Sequence, residues 1–348
     1  MYQNEISQLF ERFADQPALT SLENGTTNYR ELGESVRSTL RFLLENGVTP
    51  SDTVCLVSAN HPLWFQLFLS ALYSGIQFAP ANWRLPESEL SPLLAELAPV
   101  LVISDEEFDG VSKRALPHSR HLSIKEFLSQ SQLQDSSSWP PVASPHPNDC
   151  VLLLKTGGTT GRSKWARQRY EQLWLNAYYT ADVCELDHSS CVVQATPLFH
   201  AGANALATPL LLNGGHVVLM RDFEPKEYLS LMQKHRAKLV FGVPTVYQML
   251  LQSPDFSASA LPDVEWLLSG GAPCPRDLAS QLANRGFTVK QGFGMTEAGV
   301  NCFQLATVAA AGYVSPATNA VGLPMPHTQM QIRDGELIIS GKGIFGGY

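Results

Sequence analysis

A chain of 348 residues exceeds a typical single domain, and its 44% hydrophobic and 16% charged content is that of a packed globular protein, not a disordered one. With 24 basic against 32 acidic residues the net charge is −8, which argues against a nucleic-acid backbone as partner but not against a nucleotide held by a few local donors. The six scattered cysteines form no CxxC pair and no His/Cys cluster of zinc spacing, so they read as buried thiols in a reducing compartment.

The N-terminal MYQNEISQLFERFADQPAL lacks the basic and apolar regions of a signal peptide; instead Ile6, Leu9, Phe10 and Phe13 share one helical face. Residues 29–47 carry a helical pattern that Gly47 stops, and 53–58 (TVCLVS) read as a strand ending in the turn Ala59-Asn60-His61-Pro62. The apolar stretch around 65–80 is interrupted by Ser70, Ser74 and Gln77 and is too short for a membrane span. The expectation is a soluble cytoplasmic protein without integral membrane association. Residues 99–104 read as the next buried strand, and the Ser-, Gln- and Pro-rich 129–148 as a surface connection. Beyond it, strands are predicted at 151–155, 191–196, 216–220, 239–243, 266–269 and 288–292. Helices are predicted at 170–183, 225–235, 246–252 and 276–285, and the period-two run 329–339 reads as a hairpin turning at Asp334-Gly335. Strands alternating with helices imply an α/β fold with largely parallel sheets.

Two loops carry chemistry. TGGTTGRSK (156–164) follows a predicted strand and offers glycine backbone N–H groups and Lys164 to phosphate oxygens. It is not a Walker A loop, because Lys164 is followed by Trp165 where that motif needs Ser or Thr. QGFGMTE (291–297) offers two glycines for close backbone approach, an aromatic face at Phe293, a hydroxyl at Thr296 and a carboxylate at Glu297 suited to magnesium. Read alone, either string could be an ordinary surface turn.

In order and spacing, TGGTTGRSK, SGGAP (269–273), GFGMTE and GELIISGKGIFGGY (335–348) resemble the acyl-adenylate-forming superfamily of AMP-binding enzymes. That superfamily includes acyl- and aryl-CoA synthetases, adenylation domains of peptide synthetases and beetle luciferases. TNYREL (27–32), NWRLPESEL (82–90), PLFHAGA (197–203) and FGVPTVYQML (241–250) extend the resemblance over nearly the whole chain.

The resemblance implies two α/β subdomains with mixed, largely parallel sheets flanked by helices, plus a smaller β-barrel. The expected division is about 1–148, 149–300 and a β-rich 301–348. It implies ATP-dependent activation of a carboxylic acid to acyl-AMP with release of pyrophosphate, then transfer to CoA, with Mg2+ as the metal. Thr156, Gly157, Gly158, Thr159, Thr160, Gly161 and Lys164 resemble the phosphate loop, Gly271, Ala272 and Pro273 the adenine wall, and Gly292 and Phe293 its completion. Thr296 resembles the α-phosphate hydroxyl, Glu297 the magnesium ligand and His200 the histidine beside the acyl carboxylate. Phe199, Ala203, Phe241, Val243, Gly270, Gly294 and Met295 are the expected acid pocket.

Several positions depart from the common pattern: Gly157 for Ser, Ser163 for Pro, Trp165 for Gly and Phe293 for Tyr. Relatives continue past the GY segment into a C-terminal domain bearing a lysine that assists adenylation. Because the chain stops at Tyr348, the expectation is a core that binds acyl-AMP but turns over poorly. No carboxylate stands near His200 to pair an α-ammonium, which points to an acid without one, either aryl or alkyl. A module that loads a carrier protein's pantetheine and a non-catalytic binding module are the competing readings.

Overall fold

The computed structural model describes residues 2–156, 163–304 and 321–348. The strands in chain order are β1 (Pro17–Ser21), β2 (Gly25–Asn28), β3 (Thr53–Val57), β4 (Gln77–Ala81), β5 (Leu101–Ser104), β6 (Arg120–Ser123), β7 (Cys150–Lys155), β8 (Trp165–Arg169) and β9 (Cys191–Gln194). They continue with β10 (His216–Leu219), β11 (Leu239–Gly242), β12 (Trp266–Ser269), β13 (Val289–Met295), β14 (Gly299–Gln304), β15 (Leu323–Pro324), β16 (Gln329–Arg333) and β17 (Glu336–Ser340).

Among the described residues these strands form three sheets. A six-stranded sheet has the order β6-β5-β3-β4-β7-β8, parallel except for its last pair. A nine-stranded sheet has the order β15-β14-β13-β12-β11-β9-β10-β1-β2, parallel from β13 to β1 and antiparallel at both edges. The central strands are short, continuous apolar runs, such as LVIS and WLLS, because helices cover both of their faces. The sheets do not follow the division expected near residue 148. N-terminal β1 and β2 sit at one edge of the nine-stranded sheet, while β7 and β8 close the six-stranded one.

The largest core lies between the sheets. It takes Val54, Ile103 and Leu152 from one and Val217, Leu239 and Leu268 from the other, with Leu40, Phe65 and Phe68 from intervening helices. The outer face of the nine-stranded sheet buries Tyr228, Met232 and Leu278 beneath the helices Pro225–His235 and Arg276–Asn284. The outer face of the six-stranded sheet buries Leu90, Leu93 and Leu94 of the helix Glu87–Leu97. The 129–148 connection runs along the surface and is pinned at several points: Trp139 stacks on Tyr73 at 3.9 Å between ring centroids, and Arg41 donates to the carbonyls of Asp135 and Ser138. All six cysteines are buried and none is in a disulfide.

The C-terminal hairpin turns where expected. Asp334 and Gly335 take φ of 52° and 79°, the pair of positive values that a two-residue type I′ turn requires. Beyond residue 300 the described strands are this hairpin and the β14–β15 edge of the large sheet.

Candidate active site

A cavity of about 660 Å³ opens at the carboxyl ends of β9, β11, β12 and β13, the place where α/β sheets present ligands. His200, Phe241, Val243, Gly270, Gly294 and Met295 line it, as do Gly271, Gly292 and Thr296 from the expected nucleotide side. Glycines flank Phe241 on both sides. A Cβ at Gly202 or Gly270 would meet that ring at 3.2 and 3.0 Å, so any side chain there would crowd the slot in which the ring lies. At Gly294 a Cβ would meet the Val300 carbonyl at 1.8 Å, where the β13–β14 pairing shifts register.

Other expected residues fall elsewhere. Phe199 and Ala203 are 4% and 0% exposed and stand behind the cavity wall; the Phe199 ring packs against His200. Phe293 does not line the cavity either. Strand side chains alternate, so with Gly292 and Gly294 facing the cavity, Phe293 points away and packs against Phe303, Ala298 and Cys302. Ala272 and Pro273 are exposed beyond β12 and lie outside the lining. Gly157, Gly158, Thr159, Thr160 and Gly161 lie outside the described residues.

Thr156 and Lys164 frame that loop. The Thr156 N–H donates to the Lys164 carbonyl at 2.9 Å, and Lys155 pairs with Trp165 across β7 and β8. Trp165, unusual as a sequence feature, has a clear structural task. Its ring is 6% exposed against Leu90 and Leu93, and its Nε1–H donates to the Leu93 carbonyl at 3.1 Å. The start of β8 is thereby tied to the helix Glu87–Leu97. Lys164 emerges beside it with Nζ 4.6 Å from the centre of the Tyr348 ring, and the Tyr348 hydroxyl donates to Glu297 Oε1 at 2.8 Å. The expected phosphate lysine and the expected metal ligand thus meet on one tyrosine.

Three further links join the sheets at the site. The Asn60 side chain donates to the carbonyls of Thr196 (3.2 Å) and Met220 (2.9 Å) and accepts from the Leu198 N–H (2.8 Å), which fixes the segment that delivers His200. Gln168 of β8 donates to the Thr296 carbonyl at 2.9 Å. The strap 344–348 runs along β8, with Arg167 N–H donating to Gly347 O at 2.9 Å and Phe345 N–H to Glu297 O at 3.0 Å.

His200 opens into the cavity, and burial by its neighbours, followed by the charges of Arg84 and Lys155, holds its pKa below the ordinary histidine value. The imidazole is therefore neutral near pH 7. Arg84, Lys155 and Asn301 also line the cavity, and no Asp or Glu does so among the described residues. Sequence reading missed these three and Asn60. Asn60 and Asn301 could be found only from contacts more than 120 residues away in the chain. No group of three or more His, Cys, Asp or Glu able to hold a metal occurs among the described residues.

The family model for AMP-binding enzymes matches residues 7–348. Feruloyl-CoA synthase of an Amycolatopsis species is 33% identical over 347 residues, spanning 95% of this chain and 69% of that protein. Indoleacetate–CoA ligase of Aromatoleum aromaticum is 25% identical over 377 residues, spanning 99% and 71%. Among solved structures, ATP-bound MatB from Rhodopseudomonas palustris superposes with a TM-score of 0.88 at 22% identity, covering 100% of this chain and 72% of that one, a likeness of fold.

Proposed function

The chain belongs to the AMP-binding enzyme family, and from that premise we propose that it is the core of an AMP-forming acid–thiol ligase acting on an acid without an α-amine. The observation that carries this reading is the juxtaposition of an acid-sized cavity, lined by no carboxylate among the described residues, with the corner where Thr296, Glu297 and Lys164 converge. A buried α-ammonium would need a carboxylate partner. The cavity's apolar walls suit an aryl or alkyl group.

In the first half-reaction a carboxylate oxygen attacks the α-phosphorus of ATP, and pyrophosphate leaves. The reaction needs charge neutralised and the two reactants held in line. The cavity holds the acid, with neutral His200 beside its carboxylate and no second charge to repel it. Thr296 donates its hydroxyl toward the α-phosphate, and Lys164, at the mouth of the phosphate loop, supplies a positive charge beside the Tyr348 ring. Gly271 and Gly292 bring backbone close to the nucleotide. Glu297 fits Mg2+, since its Oε2 is free of the Tyr348 hydrogen bond and that cation needs few protein carboxylates when phosphates supply the rest. When bound, the cation offsets phosphate charge. In the second half-reaction the thiol sulfur of CoA bonds to the acyl carbon and AMP leaves.

The small barrel implied by the family is part of this proposal. Met330, Ile332, Leu337 and Ile338 of the β16–β17 hairpin are 38–60% exposed, as strands awaiting apolar cover would be. Among the described residues no helix is long and apolar enough to cross a membrane.

The test is a thermal-shift series with acyl-sulfamoyl-adenosines bearing aryl, short, medium and long acyl groups, with AMP as reference. A ligand at 100 times its Kd stabilises by about 2.7 kcal/mol. A large shift confined to one acyl class supports the proposal. The absence of any shift, together with no acid-dependent release of pyrophosphate, would overturn it.

A further inference from the structure

One polar group in the cavity wall has no counterpart in the reaction just described. Asn301, on β14, is 5% exposed and lines the cavity between Val300 and Ala205. Its Nδ2 faces three acceptors: Thr180 Oγ1 at 2.8 Å, the Ala205 carbonyl at 3.0 Å and Asn176 Oδ1 at 3.4 Å. The Ala205 carbonyl fixes which way the amide points, because it can only accept and the reverse orientation would set Oδ1 against it. Oδ1 accepts no hydrogen bond among the described residues. Nor is it one of the buried side-chain atoms sealed away from open space without a partner, so it looks into the cavity.

Two polar side chains beside the cavity are already engaged. Gln194 donates to both the hydroxyl and the carbonyl of Thr196, at 2.6 and 2.8 Å, and Asn60 donates to the same carbonyl. Phe241, Met295, Ala205 and Val300 make up apolar wall around the same space. A lone oriented acceptor in apolar surroundings is costly unless a donor meets it.

We propose that Asn301 is a specificity-determining residue whose Oδ1 accepts a hydrogen bond from a hydroxyl on the acyl group, so that the site takes a hydroxylated acid ahead of its deoxy counterpart. This inference rests on the ligase reading and narrows its substrate class. The hydroxyl could be phenolic or aliphatic; the shared chemistry is an O–H donor reaching the Asn301 wall. A site built to hydrogen-bond a substrate hydroxyl rejects the analogue that lacks it, because the protein's own polar group is then left without a partner.

The experiment measures Kd by calorimetry for matched acyl-sulfamoyl-adenosines: hydroxycinnamoyl, cinnamoyl and fluorocinnamoyl in one arm, hydroxyalkanoyl and alkanoyl in the other. The hydroxylated member of one arm is expected to bind at least about tenfold more tightly than its deoxy and fluoro partners. In Asn301→Val the ratio of the two affinities, read within the variant, should fall to about one. Equal affinity across both arms, or a preference that survives in Asn301→Val, would overturn the inference and leave the ligase reading standing. Failure of every analogue to bind would overturn both. Should the variant fail to fold, the fluoro comparison in the unaltered chain decides alone, since fluorine approximates the hydroxyl's size without its donor.

Discussion

The two large sheets contribute unlike halves of one site. The nine-stranded sheet supplies shape: the Phe241 slot, the glycines that leave it open and the oriented Asn301 amide, all set in packed backbone. The six-stranded sheet supplies charge, with Lys155 and Lys164 at the ends of β7 and β8 and Trp165 holding their hairpin from beneath. Shape requires burial, whereas charge requires access to solvent and to an incoming phosphate. Each half is therefore stabilised by different means, and the seam between them depends on a few side chains.

This contrast can be broken in graded ways. Trp165→Ala opens a hole under the charged half and removes a buried N–H donor. It should cost about 4 kcal/mol in denaturant unfolding and weaken nucleotide binding more than acyl selectivity; a loss below about 1 kcal/mol would mean the hairpin is held otherwise. Asn60→Ala severs three hydrogen bonds across the seam, for an expected loss of about 3 kcal/mol. Because the same residue fixes the segment bearing His200, its adenylate affinity should fall too, and an unchanged affinity would separate seam from site.

Acid should act next, through His327. This ring is 6% exposed, has no hydrogen-bond partner on either nitrogen among the described residues and has its pKa held down to about 4 by burial. The folded state therefore binds fewer protons than the unfolded one below the ordinary value of 6.5. The stabilising effect of keeping it neutral is complete above that value and is lost as pH falls toward 4. Between pH 7 and pH 5 the loss should be about 2 kcal/mol, and His327→Gln should flatten that part of the Tm–pH curve. The His327 carbonyl accepts from Gly343 just ahead of the strap, so the acid-sensitive point lies at the seam. The smallest effect belongs to Tyr348→Phe, which removes only the hydroxyl on Glu297. Such an exposed hydrogen bond is worth about 1 kcal/mol or less. ATP affinity should drop about threefold with Tm unchanged; a shifted Tm would instead make the tyrosine a structural brace.

Apolar runs buried on both faces were legible in the sequence, and so were amphipathic helices. Trp266–Ser269, Tyr170–Val183 and Pro225–His235 occur with the bounds read from periodicity. The polar strands were not: Trp165–Arg169 and Gly25–Asn28 lie at sheet edges, where pairing rather than apolar content makes the strand. Within the site, motif residues at strand ends converged, yet Phe293 missed the cavity because Gly292 and Gly294 take the facing positions of its strand, and Phe199 because it lies in a turn with its ring packed on His200. Motif matching locates a segment, while the two-residue alternation of the strand decides which of its side chains enters. Asn60 and Asn301 were illegible for another reason, since their meaning lies in segments far along the chain.

The place of β1 has a consequence for how the molecule is made. Leu19 pairs in register with Val217, so β1 leaves the ribosome roughly 200 residues ahead of its parallel neighbour, a wait of about 10 to 40 seconds at ordinary synthesis rates. Until then only β2 can pair with it, and an isolated two-stranded ribbon is marginal in water. The N-terminal segment therefore remains open to chaperones or to wrong partners throughout synthesis of the six-stranded sheet.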